Sequence, residues 1–133
     1  MTDQGKFRQI NRALLEALPE LTRRYDEEIA AWGEEMGPHV IYGDVLNPFL
    51  LGLLDRPGDD GSQRTLRRAF AFLDEMLDHP DPEYVDVVQT AVAEELEGHP
   101  ELLLRARPFM GPLMAHATRD SPGPRRPSRL RDD

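Results

Sequence analysis

The stretch Ser62-Gln63-Arg64-Thr65-Leu66-Arg67-Arg68-Ala69-Phe70-Ala71-Phe72-Leu73-Asp74-Glu75-Met76-Leu77-Asp78 decides the fold. Leu66, Phe70, Leu73 and Leu77 recur at intervals of three and four, which places them on one face of a helix. Ala69, Phe72 and Met76 widen that face. The spacing predicts a helix over 63–78, capped by Ser62 and stopped by His79-Pro80. A face this wide has to be covered, either by other helices of the same chain or by a second copy.

Toward the C-terminus, Asp81 is a cap with Pro82 in the first helical position, a strong start signal. Tyr84, Val85, Val88, Val92 and Leu96 form the inner face of that helix, and Gly98 ends it. The valines would suit a strand, but their spacing is helical and the run is long. Pro100 opens a helix through Leu102, Leu103 and Leu104 that ends before Pro108, and a short one follows from Pro112 to about Thr118.

Toward the N-terminus, 56–61 reads as a loop rich in Gly, Pro and Asp. Before it, Asp44 is the expected N-cap of a helix to Leu54 that is apolar nearly all round and therefore central. His39-Val40-Ile41-Tyr42 looks extended. Leu21, Tyr25, Ile29 and Trp32 form a core stripe ended by Gly33 and Gly37-Pro38, and Phe7, Ile10, Leu14 and Leu18 form another over 4–18. The predicted architecture is all-α, a compact bundle of about six helices over 1–118, followed by a disordered Arg/Pro-rich tail over 119–133.

Composition narrows the function. A chain of 133 residues has room for one core. It has no cysteine, so disulfides, thiolate metal sites and a Cys nucleophile are excluded. No signal sequence or apolar span is legible, and a cytoplasmic, non-membrane protein is expected. A net charge of −9 disfavours nucleic acid and anionic lipid as partners. The imbalance is local: 119–133 carries five Arg and three Asp, which leaves 11 basic and 22 acidic residues in 1–118.

Chemistry-bearing motifs are scarce. There is no phosphate-binding Gly loop, no nucleophile elbow and no His-Glu-x-x-His. His79 and His99 each precede a proline at a helix boundary and read as turn residues. Glu75 and His79 could share a helix face and a metal, but a carboxylate-bridged site needs more such pairs. No metal, cofactor or catalytic residue is therefore assigned. Binding is expected rather than catalysis.

The anomaly is an acidic block. From Ala69 to Leu104 there is no Lys or Arg, and ten acids occupy that span. Within 63–78, arginines sit at the start and acids at the end, which opposes the helix dipole at both ends. One explanation is a solvated surface. The other is a docking surface for a basic protein partner, with Asp74, Glu75, Asp78, Asp81, Glu83, Asp86 and Glu94 as contact residues. An intramolecular variant has Arg125, Arg126, Arg129 and Arg131 fold back on this patch.

Several segments carry a resemblance: Leu18-Pro19-Glu20-Leu21, Asp44-Val45-Leu46-Asn47-Pro48-Phe49-Leu50, Ala71-Phe72-Leu73-Asp74-Glu75-Met76-Leu77, Val92-Ala93-Glu94-Glu95-Leu96 and Phe109-Met110-Gly111-Pro112-Leu113. Over residues 7–117 the chain resembles a family of small uncharacterised bacterial helical domains, some similar to immunity proteins of polymorphic toxin systems. The resemblance implies a compact helical fold and toxin neutralisation by occlusion, with no catalytic residues to transfer. Two other functions stay open. One is a small-molecule or enzymatic pocket near Trp32, His39, Tyr42 and Asp44. The other is a homodimeric scaffold built on the wide apolar face of 63–78.

Overall fold

The computed structural model describes residues 2–56 and 59–119. It is an all-helical bundle, with seven helices among the described residues. Helix α1 is Thr2–Ala17, a 3₁₀ turn covers Pro19–Leu21, and α2 is Thr22–Trp32. Gly33 ends α2 at φ 82°, a conformation that favours glycine, and its N–H returns to Ile29 O. Helix α3 is one continuous run over 38–55, built from Pro38–Ile41, a π-helical segment Tyr42–Leu46, and Asn47–Asp55. Helix α4 is Asp60–Leu77. Helix α5 runs over 82–97 as Pro82–Val87, a second π-helical segment Val88–Ala93, and Glu94–Glu97. Helix α6 is Pro100–Ala106 with a 3₁₀ turn Arg107–Phe109 behind it, and α7 is Pro112–Arg119.

Helix α3 is central, as its composition implies: it packs on α1, α2, α4, α5 and α6. Its start differs from the sequence expectation. His39–Tyr42 is helical rather than extended, because Gly37 is the N-cap in extended conformation and Pro38 fits the first helical position. Asp44 therefore caps nothing and lies inside the π segment. Similarly, Asp59 and not Ser62 caps α4; its carboxylate accepts from Ser62 N at 2.7 Å.

The two π segments follow from the spacing of the buried residues. In α3 the buried pair Ile41-Tyr42 is followed by Val45, Leu46 and Asn47, so the buried side extends one residue past the α-helical repeat, with Asn47 five residues after Tyr42. In α5 the buried pair Val87-Val88 is followed five residues later by Val92-Ala93. An α-helix would rotate such pairs about 140° apart, whereas one π turn absorbs the extra residue and holds both pairs on the core side. This corrects the inner face expected for α5: Val87 is fully buried, and Val85 is only partly so. The segments pack against each other. Asn47, nearly buried, donates from Nδ2 to Ala91 O at 2.7 Å and latches α3 to α5.

The dipole anomaly of α4 resolves across helices. Arg68 reaches α1, donating to Ala17 O at 3.3 Å and pairing with both carboxylate oxygens of Glu20 at 3.0 and 2.8 Å. At the other end, Asp74 Oδ1 accepts from Met114 N at 2.7 Å, so an acid of α4 caps the N-terminus of α7. Arg105 serves α3 in the same way, donating to Leu54 O at 3.1 Å and Asp55 O at 3.3 Å. Arg68 and Asp74, misplaced on their own helix, are well placed for a neighbour, and Arg105, well placed on its own, serves a second helix end as well.

Leu66, Ala69, Phe70, Phe72, Leu73 and Met76 are all buried in the core. The wide face of α4 is thus covered by the chain itself, and the dimeric scaffold expected to use it loses its surface. Trp32 departs from its expected core position and is 54% exposed, donating to Glu28 Oε2 at 2.7 Å. The tail residues 120–133 lie outside the described residues. Among the described residues no helix is long and apolar enough to cross a membrane.

Candidate functional site

The seven acids singled out from the sequence divide into distinct settings. Asp74 and Asp81 have structural duties. Asp74 caps α7 as above, and its carboxyl lies so close to Gly111 that a Cβ there would sit 2.6 Å from it. Asp81 caps α5, accepting from Glu83 N at 2.9 Å, and pairs with Lys6 at 3.3 Å. The amide of Glu83 and the ammonium of Lys6 hold the Asp81 carboxyl below its ordinary pKa. Neighbouring His79 is a turn residue, as expected: its Nδ1 accepts from Asp81 N at 3.0 Å and its ring stacks on Tyr84 at 3.7 Å.

Glu75 and Asp78 are exposed, one turn apart at the C-terminal end of α4. Among the described residues neither forms an ion pair. Together with Asp74 they form one wall of a shallow groove of about 580 Å³. The opposite wall is Phe109, Met110, Pro112 and Leu113, of which Leu113 is 38% exposed. The groove exists because the Gly111 backbone approaches Asp74 closely and turns the chain from the 3₁₀ segment into α7. Its apolar side was not anticipated: Phe109-Met110-Gly111-Pro112-Leu113 stood out in the sequence only as part of a resemblance. The nearby Arg67 is turned to the aromatic face of Phe109, 5.9 Å from the ring centre.

Glu83 and Asp86 lie one turn apart at the start of α5 and face His39 of α3. His39 Nε2 is 3.0 Å from Asp86 Oδ2. Glu94 is exposed farther along α5. The acids of the block therefore have different partners, in a cap, a groove wall and a mixed His/carboxylate cluster.

The four residues named for the alternative pocket do not line one cavity together among the described residues. Tyr42 is fully buried and donates to Ile10 O at 2.7 Å; burial pushes its phenol pKa upward. His39 faces Asp86, while Asp44 is exposed beside Glu28 and, through that contact, raises the Glu28 pKa. Only Trp32 and Asp44 of the four share a neighbour, the Glu28 carboxylate, while Tyr42 turns into the core and His39 toward α5.

A separate polar cluster escaped sequence reading. Fully buried Asn11 donates to Glu35 Oε2 at 3.1 Å and to Met36 O at 3.0 Å, and the Tyr25 hydroxyl donates to the same Glu35 oxygen. Arg8 pairs with the other Glu35 oxygen at 3.4 Å. The cluster ties the segment after α2 to α1; desolvation and the Glu35 carboxylate raise the Tyr25 pKa.

Fold and surface define a small all-helical domain whose acids are used partly as helix caps and partly in open settings. The chain belongs to the family described as Domain of unknown function (DUF7674), which matches residues 11–120. No curated protein and no solved structure matches it.

Proposed function

We propose that this domain is a non-catalytic protein-binding module whose partner inserts a basic segment bearing an apolar side chain into the groove between α4 and α7. One observation carries the reading: Glu75 and Asp78, exposed and without an ion-pair partner among the described residues, face the apolar side chains of Phe109, Met110 and Leu113. Arginine or lysine of the partner meets the acids while an aliphatic or aromatic anchor covers the apolar wall. Charge complementarity of this kind steers encounter and rejects acidic competitors. The excess of acids over bases, net −9 for the chain, favours the same partner sign. A specific form of this proposal, carried over from the expectation of an immunity-like role, has the domain occlude a basic cleft of a toxin.

The test uses Glu75→Lys/Asp78→Lys, which spares the capping Asp74. Tagged wild-type and variant proteins are used to capture partners from lysate of the source cell at low and high salt, with mass-spectrometric identification. The expected result is a basic protein held by wild type at low salt, released at high salt because screening weakens exposed charge contacts, and lost by the variant. Equal retention by the folded variant would sink the groove as the docking site.

A further inference from the structure

We infer that His39, Glu83 and Asp86 form a binding site for a first-row divalent cation of zinc type, separate from the α4–α7 groove. One ligand atom from each of the three side chains lies within 4.8 Å of the others. The His39 Nε2 to Asp86 Oδ2 separation is 3.0 Å. Zinc binds imidazole nitrogen and carboxylate oxygen at about 2.0–2.2 Å, so ligand atoms around a tetrahedral ion stand about 3.3–3.5 Å apart. One edge of the triangle is already at that scale. The Glu83 side chain, with three rotatable bonds, closes the rest by a change of rotamer.

A plain His39–Asp86 ion pair accounts for two of these groups but not for the third. Glu83 adds a second carboxylate one turn from Asp86 on the same helix, an arrangement of like charge that is unfavourable in itself. Among the described residues no Lys or Arg pairs with Glu83 or Asp86, whereas Lys6 is engaged by Asp81. The start of α5 places about half a positive charge nearby, and two carboxylates outweigh it.

The backbone fixes how the two ligand-bearing turns stand to each other. Both helices that supply ligands carry a π segment directly after them, at Tyr42–Leu46 behind His39 and at Val88–Ala93 behind Asp86. Such segments recur at functional sites. Here they pack on each other and are locked by the Asn47 to Ala91 hydrogen bond, which sets the relation of the two ligand-bearing turns. Pro38 and Pro82 at the first positions of both helices, with the Asp81 cap, stiffen those turns. One imidazole and two carboxylates suit zinc and its neighbours; calcium and magnesium take oxygen alone. Water completes the coordination.

The test is calorimetric titration of the full chain with zinc sulfate and, separately, magnesium chloride, with thermal melts alongside. The expected result is saturable one-to-one zinc binding that raises the melting temperature, with no comparable response to magnesium. His39→Ala and Glu83→Gln are each expected to lower zinc affinity by about tenfold or more, since even partners of a metal ligand are worth 10–100-fold. Both positions are at least partly exposed, and circular dichroism checks that the variants fold. His99→Ala removes the other His–carboxylate pair, 3.1 Å from Glu95, and is expected to leave the affinity unchanged. Unchanged affinity in His39→Ala, equal loss in His99→Ala, or no one-to-one zinc binding would overturn the assignment.

Discussion

Replacing Asn47 tests whether the two π segments are joined as the structure implies. Asn47 is 6% exposed, and its Nδ2 donates to Ala91 O at 2.7 Å, a carbonyl inside the second π segment. Asn47→Ala removes the donor and leaves that carbonyl without its partner. A typical net hydrogen bond is worth about 0.5–1.5 kcal/mol, and an unsatisfied buried group costs about 1–3 kcal/mol. Alanine recovers up to about 0.7 kcal/mol of helix propensity. The expected loss is therefore about 1–2 kcal/mol, or roughly 4–8 °C in melting temperature for a chain of this size. Asn47→Asp keeps the shape but sets a carboxylate oxygen against the Ala91 carbonyl, and is expected to be worse than alanine at neutral pH. Urea unfolding followed by far-ultraviolet circular dichroism measures both, and an unchanged slope shows that the comparison is between like transitions. A loss below about 0.5 kcal/mol in the alanine variant, or an aspartate variant as stable as wild type, would refute the latch.

Two further outcomes follow from the capping network. Asp74→Ala is expected to cost about 0.5–2 kcal/mol through loss of the α7 cap, and Gly111→Ala to destabilise the same end by driving a Cβ into the Asp74 carboxyl. Hydrogen exchange should quicken in 112–118 in both variants, and unchanged protection there would contradict the cap. Acid stability depends on Glu20, Asp59 and Asp81, each held below its ordinary pKa, first of all by Arg68, Ser62 N and Glu83 N respectively. A depressed native pKa means that the unfolded chain binds protons first. The contribution is complete above about pH 4–5, the unfolded carboxyl range, and is lost as pH falls through the lower native values. Unfolding midpoints measured from pH 6 to 2 should fall over that window, with a shallower slope in Glu20→Gln; an identical slope would remove the Arg68 pair from the account.

The docking reading and the zinc reading draw on different parts of the same acidic block. Clustering in sequence gave no warning of that division. Positions 74, 75 and 78 share one end of α4, yet Asp74 is drawn to the α7 amides while Glu75 and Asp78 stay open. Asp86 and Glu83 turn to a histidine more than forty residues away in sequence. Only the α3–α5 packing makes that neighbour available.

From the sequence alone came the all-helical class, the apolar stripes of α1 and α4, part of those of α2 and α5, the central place of α3, and the Asp81-Pro82 start of α5. These are local properties: a repeat of three to four residues, a cap and a proline act within one helix and need no partner to be recognised. The tertiary structure decided the rest. It turned His39–Tyr42 into helix, moved Trp32 out of the core, covered the wide face of α4, and set His39, Tyr42 and Asp44 in different surroundings. The five-residue steps Tyr42 to Asn47 and Val87-Val88 to Val92-Ala93 were present in the sequence, but five is an ordinary α-helical mismatch until two helices are pressed together. Burial on both sides then makes a π turn less costly than exposing either pair. The roles of Arg68, Asp74 and Arg105 were equally hidden, because a helix terminus becomes a partner for a distant charge only after the chain has brought the two into contact.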